Sequence, residues 1–215
     1  MTVRNAETMG SYGSEWQHNG YSGSGNVAGL LDSLRGRTAV VCGNAEGVFR
    51  ELQDVYERLR TELVIFAAND VGMYLPHLDH WVSLHPDNLG AWKQVRWLHP
   101  MSREVAKYHC CDKRPFIDYV WQGLTPLFCL SGYFAMQIAY LMGCERIVLC
   151  GCPGDQTRRY FDLDPREDGF GYGNGTKGDD KGVKEQIEKE MRRLPDFKER
   201  VRSMSGWTRE FFGSP

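Results

Sequence analysis

The sequence contains no apolar run of the roughly 18 residues that a membrane-crossing helix needs, and no secretory leader opens it. Both absences point to a cytoplasmic protein. Charge of one sign is also missing. The formal net charge is −2 and the pI about 6.3, so the overall basic footprint of a nucleic-acid binder is absent. Local basic stretches such as "KEQIEKEMRR" and "FKERVR" are mixed in sign and read as solvated helix faces. The seven cysteines (42, 110, 111, 129, 144, 150 and 152) form no pair of C-x₂–₄-C knuckles, which argues against a structural zinc site. Three of them lie in or just after apolar runs, where cysteine acts as a small hydrophobe, so free thiols in a reducing compartment are expected. No Gly-x-Gly-x-x-Gly follows the first apolar run and no Gly-x₄-Gly-Lys-Ser/Thr occurs, which excludes a standard dinucleotide site and a P-loop. His77, His80 and His85 are spaced by three and five along an extended segment, which does not put them on one face, so no metal site is expected.

The 215 residues present suit a single α/β domain with a sizeable core, and 41% apolar with 25% charged content is that of a globular protein. Residues 1–36, including "GSYGSEWQHNGYSGSGNVAG", are rich in Gly, Ser, Asn and Tyr without a period and read as a flexible arm. Residues 37–215 read as the domain. "RTAVVCGN" is a buried strand ending in a turn. "GVFRELQDVYERLR" has Val48, Leu52, Val55, Tyr56 and Leu59 at helical spacing. "ELVIFAAND" and "DHWVSLHPD" are the next strands, and "LGAWKQVRW" is a short helix. Residues 98–129 are broken by Pro100, Pro115 and Pro126 and give no clear elements.

In "LSGYFAMQIAYLMGCERIVLCGC", Ser131 predicts an N-cap, Phe134, Ile138, Leu141 and Met142 a buried helix face, and Gly143 a C-terminal stop before the strand "RIVLCG". Residues 165–182 are Gly- and Asp-rich and read as a loop whose composition suits a lid. "VKEQIEKEMRRL" is an amphipathic helix, "RVRSMSG" an edge strand and "WTREFFG" a last helical turn. Strands alternating with helices predict a Rossmann-like α/β fold, its mainly parallel sheet covered by helices on both faces.

Such sheets bind ligands beyond the carboxyl ends of their strands. Four predicted strands end in small or polar residues: Gly43-Asn44, Asn69-Asp70, His85-Pro86-Asp87 and Gly151-Cys152. The helix start at Ser131-Gly132 falls on the same rim, where backbone N–H groups and the helix dipole favour an anion. Asn44 and Asn69 each offer a donor and an acceptor for a base or sugar edge. Arg158, Arg159 and Tyr160 form a cluster able to neutralise a leaving phosphate, and His85 is the candidate general base.

The segments "VVCGNAEGVFREL", "FAANDVG" and "LSGYFAMQIAYLMGCERIVLCG" resemble, in order and spacing, a Rossmann-like group. It contains bacterial sialyltransferases that use CMP-sialic acid and hydroxymethylpterin pyrophosphokinase-like proteins. The whole chain also resembles small proteins encoded by phages and prophages. The resemblance implies that Gly43, Asn44 and Asn69 contact a nucleotide or its phosphates and that Ser131 and Gly132 hold the donor phosphate or carboxylate. It also implies that Tyr160 and Tyr172 hold the departing phosphate. Three features depart from the family pattern. Ala45-Glu46 replaces Pro-Ser, Pro153 stands where the family has Asp, and residues 153–200 contain no His.

The activity implied is transfer from a nucleotide-activated donor, glycosyl transfer first, to a glycan or to a modified base in DNA. The alternatives are a pyrophosphokinase-like enzyme acting on a small heterocycle, and a non-catalytic nucleotide-binding or structural phage protein. No tightly held cofactor is expected. Mg²⁺ held by a nucleotide and by Asp87 or Asp155 belongs to the pyrophosphokinase alternative. A homo-oligomer is compatible with the arm.

Overall fold

The computed structural model describes residues 27–97, 107–121, 124, 130–154, 185, 187–188, 194 and 196–215. The apolar runs form the strands β1 (Thr38–Cys42), β2 (Leu63–Ala68) and β3 (His80–Ser83), with α1 (Val48–Leu59) between the first two and α2 (Pro86–Trp97) after the third. The segment that gave no clear elements contains β4 (Lys107–Cys110) and β5 (Tyr119–Val120). Then come α3 (Ser131–Leu141), β6 (Arg146–Cys150), α4 (Phe197–Arg200), β7 (Val201–Ser203) and α5 (Gly206–Phe212).

All seven strands are parallel, in the order β5-β4-β3-β2-β1-β6-β7. The fold is therefore α/β and Rossmann-like. β1 pairs Thr38 with Leu63 of β2 on one side and with Arg146 of β6 on the other. The chain runs outward from β1 to β5, then returns across β1 to lay down β6 and β7. The direction of winding thus reverses between β1 and β6, where the crevice of such a sheet opens.

Two apolar layers cover the sheet, which is why the central strands are apolar at nearly every position rather than at alternate ones. On one face Ala39, Val41, Val64, Phe66, Ile147 and Leu149 pack under α3. On the other, Val40, Ile65, Trp81 and Val148 pack under α1 and α2. Of α1's expected stripe, Val48, Leu52 and Val55 are buried, whereas Tyr56 is 42% exposed. α3 is buried along most of its circumference from Tyr133 to Ala139, not on one face alone. α2 starts three residues before its expected start, with Pro86 as its first residue, where a missing N–H costs nothing.

Of the arm expected over 1–36, residues 1–26 lie outside the described residues. Residues 27–30 form a 3-10 turn whose Val27 and Leu30 are buried against the α3 layer. The Asp32 and Leu34 N–H groups donate to the Leu141 and Met142 carbonyls at the end of α3. Within the expected amphipathic helix, Glu185, Ile187 and Glu188 are helical and Ile187 is buried. The loop 165–182 lies outside the described residues.

Candidate functional site at the strand ends

At the switch point the turn after β1 is closed onto the turn after β6. The Gly43 N–H donates to the Cys150 carbonyl at 2.8 Å and the Ala45 N–H to the Gly151 carbonyl at 3.1 Å. Gly43 has no room for a side chain, since a Cβ there would meet the Gly151 carbonyl and lie 2.6 Å from Cys152 Sγ. Gly151 has φ +62°, and a Cβ on it would stand 2.6 Å from Val48 Cβ. Its N–H donates to Glu51 Oε2 at 2.7 Å. Glu51 lies in the first turn of α1. The chain's own carboxylate thus occupies the helix start where many nucleotide-binding sheets take a phosphate.

A second set of contacts joins the remaining ends. The Asn44 side-chain amide donates to Asp70 Oδ1. Asp70 is 5% exposed and sits in the 3-10 turn Asn69–Met73 that follows β2. Asn69 takes the left-handed conformation, φ +62°, which asparagine tolerates better than most residues. Its carbonyl accepts the Trp81 indole N–H at 2.5 Å and its Oδ1 accepts the Ser83 hydroxyl at 2.9 Å. Ser83 Oγ in turn accepts the His85 N–H at 3.0 Å. Ser131 Oγ accepts the Leu84 N–H at 3.2 Å, while Cys111 Sγ lies 3.6 Å from the Leu84 carbonyl. The ends of β1 and β2, those of β3 and β4, and the start of α3 thereby share one polar rim.

The rim brings together Gly43, Asn44, Asn69, Ser131 and Gly132, all of which the sequence singled out. Ser131 is not the N-cap expected of it. Leu130 holds that position, Ser131 is the first residue of α3, and its hydroxyl, 2% exposed, serves β3 instead. Gly132 packs toward Cys152, whose Sγ would lie 3.2 Å from a Cβ there. His85 is exposed at the start of α2, where its carbonyl accepts the Leu89 N–H at 3.0 Å. Arg158, Arg159, Tyr160 and Tyr172 lie outside the described residues, as does Asp155. Asp87 is exposed and pairs with Arg114, whose Nε bonds its carboxylate at 2.9 Å and holds its pKa below the usual range.

Sequence reasoning missed Glu51, Asp70 and Ser83. Asp70 was visible as the acid beside Asn69. Glu51 stands four residues after Gly47 and was masked by the helical pattern around it. Burial, reinforced by Glu51, pushes Cys152 up to about 12 and Cys150 well above its ordinary value.

A buried relay lies under α3, away from the rim. The Trp121 indole N–H donates to His109 Nδ1 at 3.0 Å, and His109 Nε2 lies 2.8 Å from His80 Nδ1. An indole can only donate, so neutral His109 carries its proton on Nε2 and passes the donor sense on to His80. His80 stacks on Phe66 and His109 on Tyr119, so one aromatic row crosses β2 to β5. Burial, with Lys107 adding to it, lowers His80 to about 4. Burial drives His109 well below its ordinary value, and His80 and Lys107 add to that shift. Both side chains are buried, and the pair ties β3 and β4 to Trp121 beside β5.

Among the described residues no helix is long and apolar enough to cross a membrane, and no three His, Cys, Asp or Glu gather as a metal site would require. Comparison with known proteins returns no match to any family model, curated protein or solved structure.

Proposed function

We propose that the rim binds a nucleotide and that the protein is a transferase using a nucleotide-activated donor, glycosyl transfer first. The observation that carries this reading is the hydrogen-bonded run of Asn44, Asp70, Asn69, Ser83 and Ser131 along the carboxyl ends of adjacent parallel strands, beside the winding reversal. Three of the five, Asp70, Ser83 and Ser131, are buried, and polar side chains gathered at one rim of strand ends suit ligand recognition. The two helix starts divide the work. Glu51 repels an anion from α1, whereas the first turn of α3 has no acidic residue and is the better place for a phosphate. In this reading Gly132 lets the phosphate approach the backbone. Arg158, Tyr160 and Tyr172 neutralise the leaving phosphate, and His85 serves as base toward a glycan or DNA acceptor.

The same Glu51 contact favours a second reading, a non-catalytic binding module, since a phosphate-first site seldom carries its own carboxylate in the first helical turn. Thermal denaturation of the protein with CMP, CDP, UDP, GDP, ATP and nucleotide sugars, each with and without Mg²⁺, tests both. A ligand that binds only the folded state raises the Tm. A shift with a nucleotide sugar or its nucleotide supports the transferase. A shift with ATP that needs Mg²⁺ favours pyrophosphoryl transfer. No shift at millimolar ligand removes the nucleotide reading.

A further inference from the structure

Two hydrogen bonds join Trp121, His109 and His80 under α3, and the row has no room for one more proton. The Trp121 indole can only donate, so His109 Nδ1, 3.0 Å away, must keep its lone pair. Neutral His109 therefore carries its proton on Nε2, where it meets the lone pair of His80 Nδ1 at 2.8 Å. The proton of neutral His80 is then on Nε2. Each contact holds one proton, and every ring lone pair in the row is engaged. A proton added at His80 Nδ1 faces the His109 N–H. If His109 moves its own proton to Nδ1 to make way, that proton faces the indole N–H. No placement of the extra proton keeps both bonds.

Among the described residues no acid pairs with the row to balance an added charge. Phe66 of β2 stacks on His80, and Tyr119 of β5 stacks on His109. Lys107 of β4 is the register partner of His80 and brings a second positive charge. Along α3 the titratable side chains are the tyrosines Tyr133 and Tyr140, and the turn 27–30 has none. Asp79, just before β3, accepts the Ile65 N–H and lies 3.1 Å from His77 Nε2. Asp118, just before β5, accepts the Tyr108 N–H. A proton entering the row must break it, since a buried bond between two N–H groups is repulsive.

We infer that the row Trp121–His109–His80 is an acid-opened latch, which holds the β4–β5 edge to β3 while both imidazoles are neutral and is released by a single proton while the rest of the sheet stays folded. The latch stands independently of the nucleotide reading above. It adjoins the rim through β4. Cys111, the residue after that strand, has its Sγ 3.6 Å from the Leu84 carbonyl, and the Leu84 N–H rests on Ser131 Oγ.

The test is nuclear magnetic resonance of the full chain, labelled with ¹⁵N at histidine and tryptophan. At neutral pH both buried imidazoles are expected as Nε2–H tautomers. As the pH falls toward the folded value of His80, about 4, the ring should charge. At the same midpoint the Trp121 indole N–H should lose at least ~10-fold in hydrogen-exchange protection relative to that of Trp81. Trp81 serves as the internal standard, because its indole donates to the Asn69 carbonyl at 2.5 Å in the opposite layer and the ratio cancels the effect of pH on intrinsic exchange. His80→Gln offers an oxygen to the His109 N–H but takes no proton, so it should keep the Trp121 indole protected at the pH where the unaltered protein loses it. An Nδ1–H tautomer at either ring at neutral pH overturns the latch. So does a charged His80 beside a still-protected Trp121, or loss at Trp121 with His80 neutral. Parallel loss at Trp81 and Trp121 means global unfolding and overturns it as well, as does a row that stays neutral and intact well below that pH. A folded His80→Gln that opens like the unaltered protein removes His80 as the trigger. The unaltered protein alone decides the question if His80→Gln fails to fold.

Discussion

Two helices begin at the crevice, and they begin differently. α1 follows a turn in which every feature is engaged: Gly43 abuts Gly151 and Cys152, Gly151 is left-handed against Val48, and Glu51 caps the Gly151 N–H. α3 carries no acid in its first turn and opens with Ser131 bonded across to β3. The first start is a joint between strands. Among the described residues the second is tied across to β3, and its glycine meets a single soft sulfur. In a Rossmann-like sheet the turn after the first strand is the usual place for phosphate. Here the chain has filled that place with its own anion, and the proposed function puts the phosphate at the other helix.

Alanine at the two glycines separates the joint from the site most sharply. Gly151→Ala combines a positive φ with a Cβ 2.6 Å from Val48, and a loss of roughly 3–4 kcal/mol is expected from the strain and the overpacking together. Gly132→Ala faces only Cys152 Sγ at 3.2 Å and gains helix propensity, so its stability is expected to stay within about 1 kcal/mol while nucleotide affinity falls. Urea denaturation with matched titrations checks the pair. Equal destabilisation of both would erase the contrast between the two helix starts.

Acid distinguishes the same two regions from below. α3 rests on the layer that contains His80 and His109, while α1 rests on the opposite face. Both imidazoles are neutral when folded, whereas those of the unfolded chain take up protons near pH 6.5. Below that pH the unfolded state binds more protons, so stability is full above about 6.5 and falls as the pH drops toward the folded value, about 4 for His80. His80 alone is expected to cost about 3 kcal/mol by pH 4. Hydrogen exchange at pH 4.5 should then rise in β3, β4 and α3 before it rises in α1. Uniform exchange would show that the relay does not govern the α3 side.

The sequence made the strand ends legible because period and composition carry them: an apolar run that stops at Gly-Asn or Asn-Asp marks both a strand and its carboxyl end. β4 and β5 were hidden because they are four and two residues long and lie among prolines, with His109 and Tyr119 interrupting the apolar signal. Ser131 was recognised for its chemistry and misassigned in its partner. Spacing shows a hydroxyl at a helix start, yet only the packing of α3 against β3 brings the Leu84 N–H to it. Glu51 was invisible for the same reason, since the donor it serves is one hundred residues further along the chain. Cross-strand chemistry between residues so distant has no periodic trace.

Removing the two cross-links one at a time gives a smaller and more discriminating test. Glu51→Ala leaves the Gly151 N–H without its acceptor in a tight turn, and a loss of about 1–2 kcal/mol is expected. It also removes a negative charge that helps to hold the Cys152 and Cys150 thiols up, so their labelling by a neutral alkylating reagent should quicken. Because burial is the larger cause in both, the gain in rate should be modest, and a large one would mean that the joint had opened.

Ser131→Ala removes the acceptor for the Leu84 N–H at the end of β3, a loss of about 1 kcal/mol. Its effect on nucleotide binding decides what the α3 start is for. If affinity drops several-fold while the Tm barely moves, the serine or the helix end it positions faces the ligand. If stability falls and affinity does not, Ser131 is a tie between α3 and β3, and the phosphate contact must be sought elsewhere on the rim.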